Sequence, residues 1–305
     1  MIRSEGGPDG EEVVRSAPSG RPDASWMLLA PALVAFAACG ASTAGEAAAG
    51  SAPADRGPVV IELFTSQGCS SCPPADRLLS RLAAEPGYRG RVVPLAFHVD
   101  YWDYIGWRDP FSSPRWSERQ RDYGRSLGLG TVYTPQLVID GRSECVGSQE
   151  GDVRREIGRA LATPAAGRVE LSLSRGAGGG GDAGAVGGKA AAGKTPEVLR
   201  AVVRARLDAP AAGSRVEALV ALVEDGLVTP VERGENARRT LQNDRVVRRL
   251  ERAFVLPAEG GAEGAGEVAF PLEPAWRRAN LSVVAFLQDV DSRAILGAAA
   301  ADAVP

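Results

Sequence analysis

Histidine is almost missing from this 305-residue chain: His98 is the single one, which excludes a centre built on two or three imidazoles of one chain, as most catalytic zinc sites are. Cysteine is scarce as well. Cys39, Cys69, Cys72 and Cys145 are too few for a disulfide-scaffolded miniprotein and too unevenly spaced for a four-thiolate zinc site. Neither sign of charge is in marked excess, with 35 basic and 38 acidic residues and a net charge of -3, so no global field gathers nucleic acid or an anionic membrane. The apolar run Trp26 to Ala38 (WMLLAPALVAFAA) is too short to span a bilayer comfortably.

What is present begins with an address. That apolar run follows Arg15 and Arg21 and leads into the small-residue tract ACGASTAGEAAAG, the pattern of a secretory signal. Residues 1–57 are therefore expected to be an export segment and flexible linker, placing the mature protein in the periplasm or medium. Lipidation at Cys39, after Phe36-Ala37-Ala38, is the alternative and the one expected route to membrane attachment.

From Pro58 the pattern alternates between strand-like and helix-like segments. VVIELF, then CSSCPPADRLLSRLAA with leucines at helical spacing, RVVPLAFHV, a polar helix over 113–127, QLVID, a short strand near 144–146 and a helix over 149–162 follow in order. Pro73 and Pro74 suit a first helical turn, and Asp140-Gly141 suits a hairpin. The expectation is an α/β thioredoxin-like domain over 58–166. Beyond Gly167 short apolar alternations predict a β-rich C-terminal domain over 167–305, with a small sandwich as the candidate arrangement. Gly-rich tracts at 175–194 and 259–266 read as flexible loops within it.

The chemistry is carried by Cys69-Ser70-Ser71-Cys72 at a strand-to-helix junction. A sulfur at a helix N-terminus sits over unsatisfied amides and is favoured as thiolate. Cys69 is then the nucleophile and Cys72 the resolving thiol. Thr134-Pro135, before the QLVID segment, is the candidate cis-proline that would leave room for an extended substrate beside residue 134. His98, Asp100 and Asp103 are candidates for tuning a cysteine or relaying its proton, and Tyr101, Trp102 and Trp107 for a peptide-binding wall. The plain alternative is that the aromatic stretch packs over the sheet and His98 is a satisfied strand-end residue. Cys145 reads as an inert thiol, with pairing to Cys69 or metal ligation as alternatives. Glu235, Asn236 and Arg238 in GENARRTL are expected to make structural hydrogen bonds.

VVIELFTSQGCSSCPPAD, AFHVDYWDYIGWRDPFSS, RQRDYG and VYTPQLVIDG, with GENARRTL and NDRVVR further on, resemble a bacterial secreted family known as domain of unknown function 1223, within the thioredoxin-like superfamily. The resemblance implies a thioredoxin-like fold, export and thiol-disulfide function resting on Cys69, Cys72 and Pro135. The expected activity is thiol-disulfide exchange on a protein substrate, with a separate redox partner and no cofactor beyond the cysteines. Soft-metal delivery by the cysteine pair and an envelope module with a structural disulfide are the alternatives.

Overall fold

The computed structural model describes residues 57–177 and 197–303. The expected leader, Cys39 and most of the first Gly-rich tract lie outside the described residues. In chain order the elements are β1 (Val59–Thr65), α1 (Pro73–Ala84), β2 (Val92–His98), α2 (Pro114–Ser126), β3 (Gln136–Ile139), β4 (Ser143–Val146), α3 (Glu150–Leu161), β5 (Gly167–Ala177), β6 (Glu197–Leu207), β7 (Arg215–Glu224), β8 (Leu227–Pro230), β9 (Thr240–Asn243), β10 (Val246–Pro257), β11 (Glu263–Pro271), β12 (Leu281–Asp289) and β13 (Ile295–Asp302). No helix among the described residues is long and apolar enough to cross a membrane.

Eight strands join in one mixed sheet of order β13-β12-β7-β10-β2-β1-β3-β4. This corrects the expected α/β thioredoxin-like domain followed by a β-rich one. The protein is mostly β, and strands from both halves of the chain share a single sheet. The joint is made at β2. Its run VVPLAFH is buried at every position, as in a strand covered on both faces, and its free edge is taken by β10. Val246 pairs in parallel with Ala96, and the Ala96 amide donates to the Arg245 carbonyl at 2.8 Å. The β2–β10 ladder is confined to that one pair, so Pro94, which has no N–H to give, is tolerated inside the sheet. Its carbonyl accepts from Arg245 Nε at 3.1 Å instead.

Alternation along β1 sets the two faces. Val59, Ile61 and Leu63 pack with Leu78, Leu79 and Leu82 of α1 and Val153 and Ile157 of α3. Val60 and Phe64 face the other way, onto Trp116 and Tyr123 of α2 and onto Phe286 of β12. Glu62 shares that second face and has no exposed surface. Its charge is met by Arg119 of α2, whose Nε and second guanidinium nitrogen donate to the two carboxylate oxygens at 2.6 and 2.9 Å, and Tyr123 Oη adds a bond at 2.5 Å.

A three-stranded sheet of order β11-β6-β5 covers β7 and β12, sharing with them a core that contains Leu199, Val220, Phe270, Trp276 and Val283. The second Gly-rich tract is only partly a loop, because residues from Glu263 onward pair with β6. Gly264 and Gly266 lie against Phe254 and Ala253, where a Cβ would come within 2.7 to 2.8 Å of neighbouring atoms, so close sheet packing explains these glycines. The Asp140-Gly141 turn forms as its residue types predict, with φ of 45° and 64°. A two-stranded ribbon of β8 and β9 stands beside α1.

Candidate functional site

Cys69 and Cys72 are free thiols, both buried, in the turn between β1 and α1. Cys72 is the N-cap of α1, and its carbonyl accepts the amides of Ala75 and Asp76 at 2.8 and 3.1 Å. Pro73 and Pro74 occupy the first helical positions and have no N–H. The helix terminus therefore offers Cys69 fewer amides than its sequence position suggests, and side chains take over. Ser71 Oγ lies 3.2 Å from Cys69 Sγ, and Thr134 Oγ1 donates to it at 3.3 Å. The Cys69 thiol is lowered to about 6, chiefly by the hydrogen bond from Cys72, against the opposing effect of burial and with help from Ser71 and Thr134. Cys72 is pushed well above the ordinary thiol range, first by burial and then by Cys69 and the Asp76 charge.

The Thr134-Pro135 peptide is cis. The Thr134 carbonyl lies 4.0 Å from Cys69 Sγ. Trp102 Nε1 donates to Thr134 Oγ1 at 2.8 Å, so a donor chain runs from the indole through the hydroxyl to the sulfur. The same indole residue explains Gly68, where a Cβ would stand 3.1 Å from Trp102 Cβ and 3.2 Å from its carbonyl oxygen.

The other expected acids are engaged elsewhere. Asp100 accepts from Ser117 Oγ at 2.5 Å, and Asp103 accepts from Ser112 Oγ at 2.7 Å. Both tie the aromatic loop to α2 and its approach. Tyr101 bonds Gln120 at 2.9 Å, and Trp107 donates to Gln67 Oε1 at 3.2 Å, while Tyr104 is exposed. His98 has no exposed side-chain surface and lies 2.7 Å through Nδ1 from Asp109 Oδ2. Burial alone would lower its pKa, but the Asp109 charge and hydrogen bond outweigh this and raise it. Asp109 is held below the usual carboxylate range by His98 despite its own burial, and it also accepts the Gln67 amide at 2.8 Å. His98 thus supports the turn before Cys69 through Asp109.

The acid that stands next to the pair is Asp76, which the sequence reading passed over. It is buried in the first turn of α1, accepts from Thr65 Oγ1 at 2.7 Å, and is raised to about 7, mainly by burial. It is also among the residues lining a cleft of about 390 Å³ between α1 and β9. The available signal was its spacing: four residues after Cys72 on a helix is the same face.

Cys145 pairs with Leu137 across β3 and β4 and packs against the core under α1 and α3. Burial pushes it up to about 12, so it is a poor nucleophile, and the structure does not bring it to Cys69. Among the described residues no group of three or more His, Cys, Asp or Glu side chains is arranged to hold a metal ion.

None of the curated proteins matches this chain. Among solved structures, an Agrobacterium tumefaciens protein determined as a structural-genomics target is similar at 25% identity, with a TM-score of 0.56, over 81% of this chain and 95% of that one. HBP35 of Porphyromonas gingivalis is similar in fold at 18% identity, with a TM-score of 0.57, over 81% of this chain and 75% of that one. The family model described as "Protein of unknown function (DUF1223)" matches residues 60–288, the greater part of the sequence, and the chain belongs to that family.

Proposed function

We propose that the protein is a thiol-disulfide oxidoreductase acting on protein thiols or disulfides through Cys69 and Cys72. The observation that carries this reading is the convergence of the Ser71 and Thr134 hydroxyls on the Cys69 sulfur at 3.2 and 3.3 Å, with Cys72 adding to the stabilisation of its thiolate, which a merely structural thiol has no use for. In the reducing direction, the Cys69 thiolate attacks one sulfur of a substrate disulfide, forming a mixed disulfide and releasing the first substrate thiolate. Asp76 takes the proton of the Cys72 thiol, and the Cys72 thiolate attacks Cys69 Sγ. The Cys69–Cys72 disulfide forms and the second substrate thiolate leaves, so two electrons pass from the pair to the substrate. The oxidising direction is the reverse, and a second thiol or disulfide couple resets the pair.

Both sulfurs are buried, whereas Ser70 and Ser71 between them are exposed. Substrate therefore approaches from the serine side. The leader-like Trp26–Ala38 run supports the further reading that this chemistry takes place outside the cytoplasm, where disulfides persist.

The test is a redox titration of the protein in glutathione buffers, with mass spectrometry to locate the disulfide and Cys69→Ser as control. A reversible Cys69–Cys72 couple between about -120 and -270 mV supports the reading. A couple below about -300 mV, or none, overturns it in favour of a structural pair.

A further inference from the structure

Two stretches of the C-terminal half, GENARRTL and NDRVVR, converge on the cysteine turn from 160 or more residues away. Asn236 is fully buried, and its Nδ2 donates to the carbonyls of both Gln67 and Cys69 at 2.9 Å. The amide is oriented by its other end, because Arg239 donates to Oδ1 at 3.0 Å and leaves both N–H groups for the turn. Beside it Glu235 accepts the Ser70 amide at 3.0 Å. Asn243 accepts from Gln67 Nε2 at 2.8 Å, and Asp244 accepts from Ser80 of α1 at 2.7 Å. The turn from Gln67 to Ser70 and the helix it feeds are thus held from outside by five hydrogen bonds from four residues.

We propose that Asn236 is a positioning residue of the cysteine site, fixing the Gln67–Cys69 backbone so that Ser71, Cys72 and Thr134 stay aimed at the Cys69 sulfur. The physical basis is that each donor distance depends on where the turn sits. With Pro73 and Pro74 supplying no amides, no helix-terminal array compensates when the side-chain donors drift. The C-terminal half is then part of the reactive unit. The proposal rests on the thiol-disulfide reading of the same site.

The test uses the full chain and reads the pH profile of Cys69 alkylation by iodoacetamide, resolved by mass spectrometry, in wild type, Asn236→Ala, Arg239→Ala and Arg239→Lys. Arg239 is exposed, so its variants are expected to retain the fold even where Asn236→Ala does not. Asn236→Ala is expected to move the alkylation midpoint upward and slow the reaction at pH 7 by about three- to ten-fold as the thiolate fraction falls. Arg239→Ala should shift it less in the same direction, and Arg239→Lys, which keeps a donor, should restore it. A wild-type midpoint near 6 with unshifted profiles in the folded variants overturns the positioning role alone. An ordinary thiol midpoint in wild type overturns the oxidoreductase reading together with it.

Discussion

The carbonyl of Cys72 accepts the amide of Asp76 at 3.1 Å, which sets a buried carboxyl one helical turn behind a buried thiol. The Asp76 charge adds to burial in raising Cys72, and Asp76 is itself raised to about 7, chiefly by its own burial. Asp76 is thus a base held partly protonated near neutrality, and removing its carboxyl is expected to have opposite effects on reactivity and on stability.

Asp76→Asn is expected to slow the resolving step by about 10²-fold or more at pH 7, the usual effect of losing a positioned base, while initial alkylation of Cys69 persists. Rapid-mixing kinetics of a mixed disulfide formed at Cys69 separates the two steps. An unchanged resolving rate removes Asp76 from the mechanism.

The same substitution is expected to stabilise the fold at high pH. A carboxyl whose folded pKa is raised from 3.8 to about 7 binds more protons folded than unfolded between those values, so its contribution turns unfavourable as pH rises through them. At pH 8 the penalty is on the order of 4 kcal/mol for a shift of this size. Urea unfolding from pH 4 to pH 8 should show the difference between Asp76→Asn and wild type growing with pH and levelling off above about 7.

Thr134→Val removes the hydroxyl that donates to Cys69 at 3.3 Å and keeps the side-chain volume. It is expected to raise the Cys69 alkylation midpoint above about 6, and Trp102→Phe, which removes only the indole donor to Thr134, should raise it less. A wild-type profile in both variants would leave the donor chain without influence on the sulfur.

Much of the site was legible because it is local. The strand, the Cys-x-x-Cys turn and the helix follow one another within α1 and its approach, and Thr-Pro before an apolar run announced the cis bond, which the structure contains. The sheet was not legible in the same way. Period-two alternation marks a strand but carries no record of its neighbour, so nothing in VVPLAFH named Val246 as the residue that would meet Ala96. Asn236 was hidden for the same reason, since its carbonyl partners lie 169 and 167 positions earlier. Asp76 was within reach, through its four-residue spacing from Cys72.

The buried Glu62–Arg119 pair gives the last test. Arg119 donates to both oxygens of Glu62 and to Gln288 at 3.0 Å, and its guanidinium lies over the rings of Phe97, Tyr123 and Phe286 at 5.2 to 5.7 Å. It thereby connects β1, α2 and β12 across the core. Arg119→Met leaves the Glu62 carboxylate buried with its cationic partner gone, and should cost about 3–5 kcal/mol in urea unfolding at pH 7. Adding Glu62→Gln removes the stranded charge and should recover a large part of that loss, because the penalty comes from an uncompensated ion more than from missing attraction. The double variant separates this account from one of packing alone: if it is as unstable as Arg119→Met, lost ring contacts dominate and the ion pair contributes little.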